Sequence, residues 1–246
     1  MRILVVGESC KDIYQYGDCV RLCPEAPVPV FKSTNKTTTN PGMAYNVWRN
    51  IVRMHRDAKV DIITNDNWSQ ITKTRYVDNR TNYIIVRIDD NDEQYGRCNI
   101  EELKYEDYDA IVISDYNKGF LTEDDIRHIS QQHLVTFLDT KKILGKWCND
   151  IKYIKINEFE YERTKHRLTP ELIDKMIITL GPNGAKHKDV SFPVPKVEIK
   201  DTSGAGDTFI ASLVANYVIF EDIYKAIASA NDSATKVVQK KGVSTI

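Results

Sequence analysis

No stretch of this sequence stays apolar for long enough to span a bilayer. Its opening, Met1-Arg2-Ile3-Leu4-Val5-Val6-Gly7, is too short for the apolar core of a signal peptide and shows no cleavage pattern. Surplus charge is also missing. Lys and Arg number 34 against 35 Asp and Glu, a net of -1, which disfavours a nucleic-acid backbone as partner. The five cysteines (Cys10, Cys19, Cys23, Cys98, Cys148) are scattered. Cys19 and Cys23 have no second pair at zinc-site spacing, so reduced thiols are expected. The five histidines show no metal-binding spacing. No G-x-x-x-x-G-K-[ST] string occurs, which argues against P-loop chemistry. Repeats, low-complexity tracts and linkers are absent. The expectation is a cytoplasmic chain that engages neither nucleic acid nor membrane.

What is present is ordinary globular material. The chain has 246 residues, 41% of them hydrophobic, enough for one sizeable domain over 1–246 with a real core. Short, continuously apolar runs at 2–6, 110–114, 134–138, 153–156 and 175–180 read as strands buried on both faces. Helices are expected between them. Thr122 and Asp125 form a capping-box pattern, and Thr169-Pro170 sets a cap before a proline at the first helical position. Segments 43–54, 206–220 and 221–240 read as further helices, the last stopping near Gly242. Strands alternating with helices imply an α/β fold, a doubly wound, mostly parallel sheet flanked by helices. Two segments break the rhythm, about 13–34 with Pro24, Pro27 and Pro29, and about 74–95. They are expected to form a small projecting β-sheet lid that excludes water from a pocket.

The chemistry concentrates at Asp201-Thr202-Ser203-Gly204-Ala205-Gly206-Asp207. Gly204, Ala205 and Gly206 let a ligand approach the backbone closely. The following helix presents unpaired N–H groups and a positive dipole end, which suit an anion. Asp207 in the same turn can take a proton from a hydroxyl. Phosphoryl transfer to an alcohol needs both parts, although an ordinary helix start would carry the same residues.

With Thr208-Phe209, this string closely resembles the signature of the ribokinase (PfkB) family of carbohydrate kinases. Other segments resemble the family in order along the chain. They are Asp12 with Asn40-Pro41-Gly42-Met43-Ala44-Tyr45-Asn46, then Asn157-Glu158-Phe159-Glu160, then Thr179-Leu180-Gly181-Pro182-Asn183-Gly184, then Ala230-Asn231-Asp232 and Lys241-Gly242-Val243. A narrower resemblance is to the heptose 7-phosphate kinase branch. It rests on Pro24-Glu25-Ala26-Pro27-Val28-Pro29, Thr72-Lys73-Thr74-Arg75, Val86-Arg87-Ile88-Asp89 and Ser114-Asp115-Tyr116-Asn117-Lys118-Gly119. That branch phosphorylates O1 of D-glycero-D-manno-heptose 7-phosphate on the route to ADP-heptose.

The resemblance implies an ATP-dependent kinase with a ribokinase-like fold. It makes Asp207 the base and Gly204, Ala205 and Gly206 the anion hole. Asp12, Gly42 and Asn46 become sugar-side residues. Asn157 and Glu160 organise Mg²⁺, chiefly through water, and are also a good capping pair. Thr179, Gly181, Gly184, Asn231 and Asn157 lie on the nucleotide side. Lys73, Arg87 and Lys118 are candidates for the sugar phosphate, with a solvated surface role as the alternative. A monovalent cation such as K⁺ near Asp201 and Ser203, and a homodimer through the lid, also follow by analogy.

Two departures stand out. The segment 53–73 is shorter than the family pattern, as though a βα unit were reduced. Met43 replaces the family's second glycine, where its side chain either narrows the sugar site or points away. No nucleotidyltransferase segment follows within the 246 residues, so a second step is expected to need another protein. A kinase for another sugar, or an inactive sugar- or nucleotide-binding paralogue, stands as the alternative.

Overall fold

The first strand shows how the main sheet is buried. In β1 (Arg2–Gly7), Ile3 and Val5 enter one apolar cluster while Leu4 and Val6 enter another on the opposite face. Such a strand needs cover on both sides. A computed structural model describes residues 1–101 and 103–240. Its main sheet adds β4 (Lys59–Ile63), β7 (Ala110–Asp115), β8 (Thr136–Thr140), β9 (Tyr153–Asn157) and β10 (Met176–Thr179), all parallel. The strands β11 (Ala185–His187) and β12 (Val190–Phe192) extend it antiparallel, giving the order β12-β11-β10-β9-β8-β7-β1-β4.

One face is covered by α1 (Ala44–Met54), α5 (Ala205–Phe220) and α6 (Ile223–Val238), with α5 packed between the other two. The opposite face carries α2 (Glu123–Gln132), α3 (Glu158–Thr164) and α4 (Pro170–Ile173). The expected helix starts are in place. Thr122 and Asp125 form the capping box of α2, and Thr169 caps α4 ahead of Pro170. The helix expected from 221 begins at Ile223, because the Asp222 carboxylate accepts from the amides of Tyr224 and Lys225. Leu134 lies outside its expected strand and is 88% exposed; β8 starts at Thr136. The stop expected at Gly242 and the match at Lys241-Gly242-Val243 lie outside the described residues.

A separate sheet has the order β3-β2-β5-β6, from β2 (Ser9–Asp18), β3 (Lys32–Met43), β5 (Thr72–Asp78) and β6 (Ile84–Asp90). Its limits differ from the segments expected. Between Asp18 and Lys32 the only strand pairing among the described residues is an isolated bridge, Leu22 with Pro29, since three prolines lack donors for a ladder. The strand resumes at Lys32 and runs on through Asn40 to Met43. Residues 64–71 join β4 to β5 with no helix, which is how the shortened segment is accommodated. Among the described residues no helix is long and apolar enough to cross a membrane.

Candidate active site

Parallel strands deliver their carboxyl ends to one edge of the sheet, where loops gather ligands. Here β7, β8, β9 and β10 bring Tyr116, Asp139, Lys141, Lys155, Asn157 and Thr179 around a cavity of about 320 Å³, which Gly204, Gly206 and Asp207 close. Gly204 starts α5 in the left-handed region, φ 79°, which glycine adopts without strain. No side chain caps this helix, so the glycine turn itself faces the cavity.

Asp207 is buried, and both its oxygens are held. Asn46 of α1 donates to Oδ2 at 2.9 Å and the Tyr116 hydroxyl donates to Oδ1 at 2.7 Å. Burial pushes its pKa up to about 6; the bonds from Asn46 and Tyr116 pull against that, Asp139 adds to the rise and Lys155 opposes it. A carboxylate titrating there is matched to accept a proton near neutral pH.

Two ammonium groups face it. Lys155, in the middle of β9, pairs with Asp139 of β8 at 2.7 Å, both buried. A Cβ on Gly206 would stand 3.1 Å from the Lys155 nitrogen, so that cation lies against the glycine loop. Lys141 pairs with Glu160 and stands 5.5 Å from the Tyr116 ring centroid. Burial works against its charge, but Asp139 and Glu160 outweigh burial and raise its pKa.

The pair expected to organise Mg²⁺ is a structural capping box. The Glu160 amide donates to Asn157 Oδ1, and the Asn157 amide to Glu160 Oε2, each at 2.8 Å. Asp139 supplies what that pair lacks. Asp139 lines the cavity, and its Oδ1 is buried with no hydrogen-bond partner among the described residues. Among the described residues no three His, Cys, Asp or Glu form a ready-made cage. A hard cation that keeps most of its waters suits a cavity with so few carboxylates, where Asp139 lies on the wall and Glu160 is reached through Lys141.

A second cavity of about 540 Å³ joins the first at Thr179, Gly181 and Gly206. Its walls are chiefly apolar, among them Val197, Ile199, Phe209 and Val238, and Gly184 and Asn231 lie on it. The four nucleotide-side candidates Thr179, Gly181, Gly184 and Asn231 therefore line one slot. Asn157 faces the smaller cavity.

The sugar-side candidates Asp12 and Asn46 have partners within the protein. Asp12 is buried and paired with Arg75 at 2.5 Å. Burial raises its pKa and Arg75 opposes that only in part. Gly42 makes room for this carboxylate, since a Cβ there would collide with Asp12 Oδ2. Asn46 serves Asp207 directly. Lys73 and Lys118 both contact Asp92, Lys73 at 2.5 Å, and Arg87 pairs with Asp89 at 2.8 Å. Met43 is buried in the core, its sulfur 3.7 Å from the Tyr95 hydroxyl, and it lines neither cavity. Its backbone sits at φ 61°, ψ -133°, a region that favours glycine.

Asp139, Lys141 and Lys155 escaped the sequence reading, and Tyr116 entered it only within the string Ser114–Gly119, with no role given. A signal existed: a lysine inside the buried run Tyr153-Ile154-Lys155-Ile156, and Asp139-Thr140-Lys141-Lys142 at the end of an apolar strand.

The family model of pfkB carbohydrate kinases matches residues 56–246, and the chain belongs to that family. Bifunctional protein HldE of Hydrogenovibrio crunogenus is 28% identical over 292 residues, covering all of this chain and 61% of that protein. The chain thus spans about six-tenths of that relative's length. An alignment of 292 residues against a chain of 246 also requires gaps, in keeping with a shortened chain. Among solved structures, the ribokinase of Thermotoga maritima superposes with a TM-score of 0.73 at 16% identity, covering 98% of this chain and 94% of that one. Phosphofructokinase-2 of Escherichia coli, in complex with potassium, gives 0.69 at 14% identity, covering 99% and 94%.

Proposed function

We propose that the chain transfers the γ-phosphate of ATP to a sugar hydroxyl, with Asp207 as general base and the loop 204–206 as anion hole. The observation that carries this is the buried Asp207 carboxylate, its pKa raised to about 6, where a cavity lined by Lys141 and Lys155 meets an apolar slot. The adenosine part of ATP suits the 540 Å³ slot and its phosphates the cavity of Lys141 and Lys155. The acceptor oxygen bonds to the γ phosphorus, the bond to the leaving ADP oxygen breaks, and Asp207 takes the hydroxyl proton. Lys155 and Lys141 balance charge on the phosphoryl oxygens. Mg²⁺, held beside Asp139 and Glu160 with Asn157 shaping the turn, would neutralise the β- and γ-phosphates. We place a monovalent cation near Asp201 and Ser203, as the potassium complex of the Escherichia coli relative suggests.

The acceptor we favour is D-glycero-D-manno-heptose 7-phosphate at O1. The branch resemblance and the HldE relative support it. So does strand register, which sets Asp12, Asn40, Lys73 and Asp89 in one row of the small sheet and Arg75 and Arg87 in the next. These rows suit sugar hydroxyls and a phosphate, with the small sheet acting as lid. Rows of opposite parity carry Ile13, Thr74 and Ile88, then Tyr76 and Val86. Ile88 and Val86 are exposed, which supports a homodimer through this sheet in the cytoplasm.

The test is turnover of pure protein with ATP, Mg²⁺ and a panel of sugars and sugar phosphates. Heptose 7-phosphate is expected to give the highest kcat/KM. A better acceptor would replace the heptose assignment, and ATP binding with no turnover of any acceptor would overturn the kinase reading.

A further inference from the structure

We infer that Tyr116 is a built-in stand-in for the acceptor hydroxyl, closing the Asp207 carboxylate to water until a sugar displaces it. The inference rests on the reading of Asp207 as the base. A kinase base that can deprotonate an alcohol can also deprotonate water, which is smaller and far more abundant. ATP is then wasted unless water is kept from the carboxylate.

The geometry supplies such a block. Asp207 faces the 320 Å³ cavity, yet both its oxygens accept hydrogen bonds from side chains of the protein. Oδ2 is taken by Asn46 at 2.9 Å, from a helix packed on α5. Oδ1 is taken by the Tyr116 hydroxyl at 2.7 Å, an O–H donor of the kind an acceptor alcohol would present. The two bonds differ in what surrounds them. Asn46 is fully buried, whereas Tyr116 is only partly buried and lines the cavity itself. Tyr116 is thus the partner that can yield.

Its backbone is anchored separately from its side chain, whose ring packs on the core beside Lys141 and whose hydroxyl bonds to Asp207. The Tyr116 amide donates to Glu8 Oε2 and the Lys118 amide to Glu8 Oε1, each at 2.9 Å, so one buried carboxylate anchors the loop on both sides of Asn117. The Tyr116 hydroxyl has Asp207 as its hydrogen-bond partner, and the ring lies near Lys141. Rotation of the side chain alone would uncover Oδ1. Without the phenol, water fills the vacated position. Its oxygen bonds to the γ phosphorus of ATP, the bond to the ADP oxygen breaks, and Asp207 accepts the water proton. The products are ADP and inorganic phosphate.

The experiment measures phosphate release from ATP and Mg²⁺ with no acceptor present, for the wild type, Tyr116→Phe, Asp207→Asn and the double variant. Tyr116→Phe is expected to raise hydrolysis by about 10-fold, a fraction of the ~10²–10⁴ that a positioned base supplies. The double variant should lose that rise. Where Phe does not fold at 116, Tyr116→Met carries the same expectation. No rise with Phe or Met, a rise that survives in the double variant, or phosphate found on Tyr116 itself would each overturn the inference. Sugar transfer by Asp207→Asn separates the two readings. If it stays near normal, the base assignment fails; if it is lost while Tyr116→Phe stays silent, only the stand-in fails.

Discussion

Asn46 and Asp207 lie 161 positions apart in sequence, and the amide of the first donates to the carboxylate of the second at 2.9 Å. The bond ties the first turn of α1 to the first turn of α5. Along the same seam, the Thr208 hydroxyl donates to Asn50 at 3.3 Å. The seam turns the carboxylate toward the cavity and favours its charged form against burial.

Replacing Asn46 by alanine should therefore move the pH dependence of the reaction. Loss of a donor to the charged form raises the Asp207 pKa further above about 6. A lost bond of ordinary strength corresponds to about one pH unit. The acid limb of kcat/KM against pH should shift upward by that amount. A limb that stays put, or moves down, contradicts the role given to Asn46.

Asp207 should also cost the fold stability at neutral pH. Its pKa rises from 3.8 to about 6 on folding, so the native state binds the proton more tightly than the unfolded chain. The stabilising contribution is fully present below about pH 4 and is lost as pH rises through about 6. Asp207→Asn removes this titration. Its stability relative to wild type should improve by roughly 1–3 kcal/mol between pH 4 and pH 7. Chemical denaturation of both proteins across that range checks it, and a difference independent of pH refutes it.

The legible parts of the molecule were those whose signal is local. The capping box at Thr122, the Thr169-Pro170 start, the buried runs of β1 and β7 and the glycine loop before Asp207 each announce themselves within a few residues. β3 did not. Its polar Lys32-Ser33-Thr34-Asn35-Lys36-Thr37-Thr38-Thr39 is exposed throughout, with no apolar alternation, and pairing with β2 is what makes it a strand. The charged cluster was hidden for another reason. Lys141, Lys155, Asp139 and Tyr116 come from or just after three strands, β8, β9 and β7, that only the parallel order brings together. Asp92 was overlooked because nothing near it in sequence shows that two lysines converge on it.

Asp92 governs those lysines. Burial would raise its pKa, but hydrogen bonds from Lys118, Lys73 and Tyr95 outweigh burial and hold it at about 2. If Lys73 and Lys118 carry the acceptor's phosphate, Asp92 competes with that phosphate for the same donors. Asp92→Asn should then lower KM for a phosphorylated acceptor by about 3- to 10-fold, the worth of a partly exposed charged bond, and leave KM for ATP unchanged. An unchanged or raised acceptor KM would place the phosphate elsewhere.

Met43 offers a test of backbone strain. At φ 61°, ψ -133°, a side chain costs about 1–3 kcal/mol that glycine does not pay. Both Met43→Ala and Met43→Gly lose the buried side chain, but only glycine releases the strain. The glycine variant should be the more stable of the two by about that amount. Thermal melts giving alanine the higher Tm would remove strain from the account.

The central claim is that Asp207 takes the proton of the acceptor hydroxyl. Transfer of the γ-phosphate from ATP to the best acceptor of the sugar panel, measured for wild type and Asp207→Asn at matched folded concentration, tests it most directly. The account predicts a folded variant whose transfer rate falls by about 10²–10⁴. A folded variant that transfers phosphate at near the wild-type rate would contradict it.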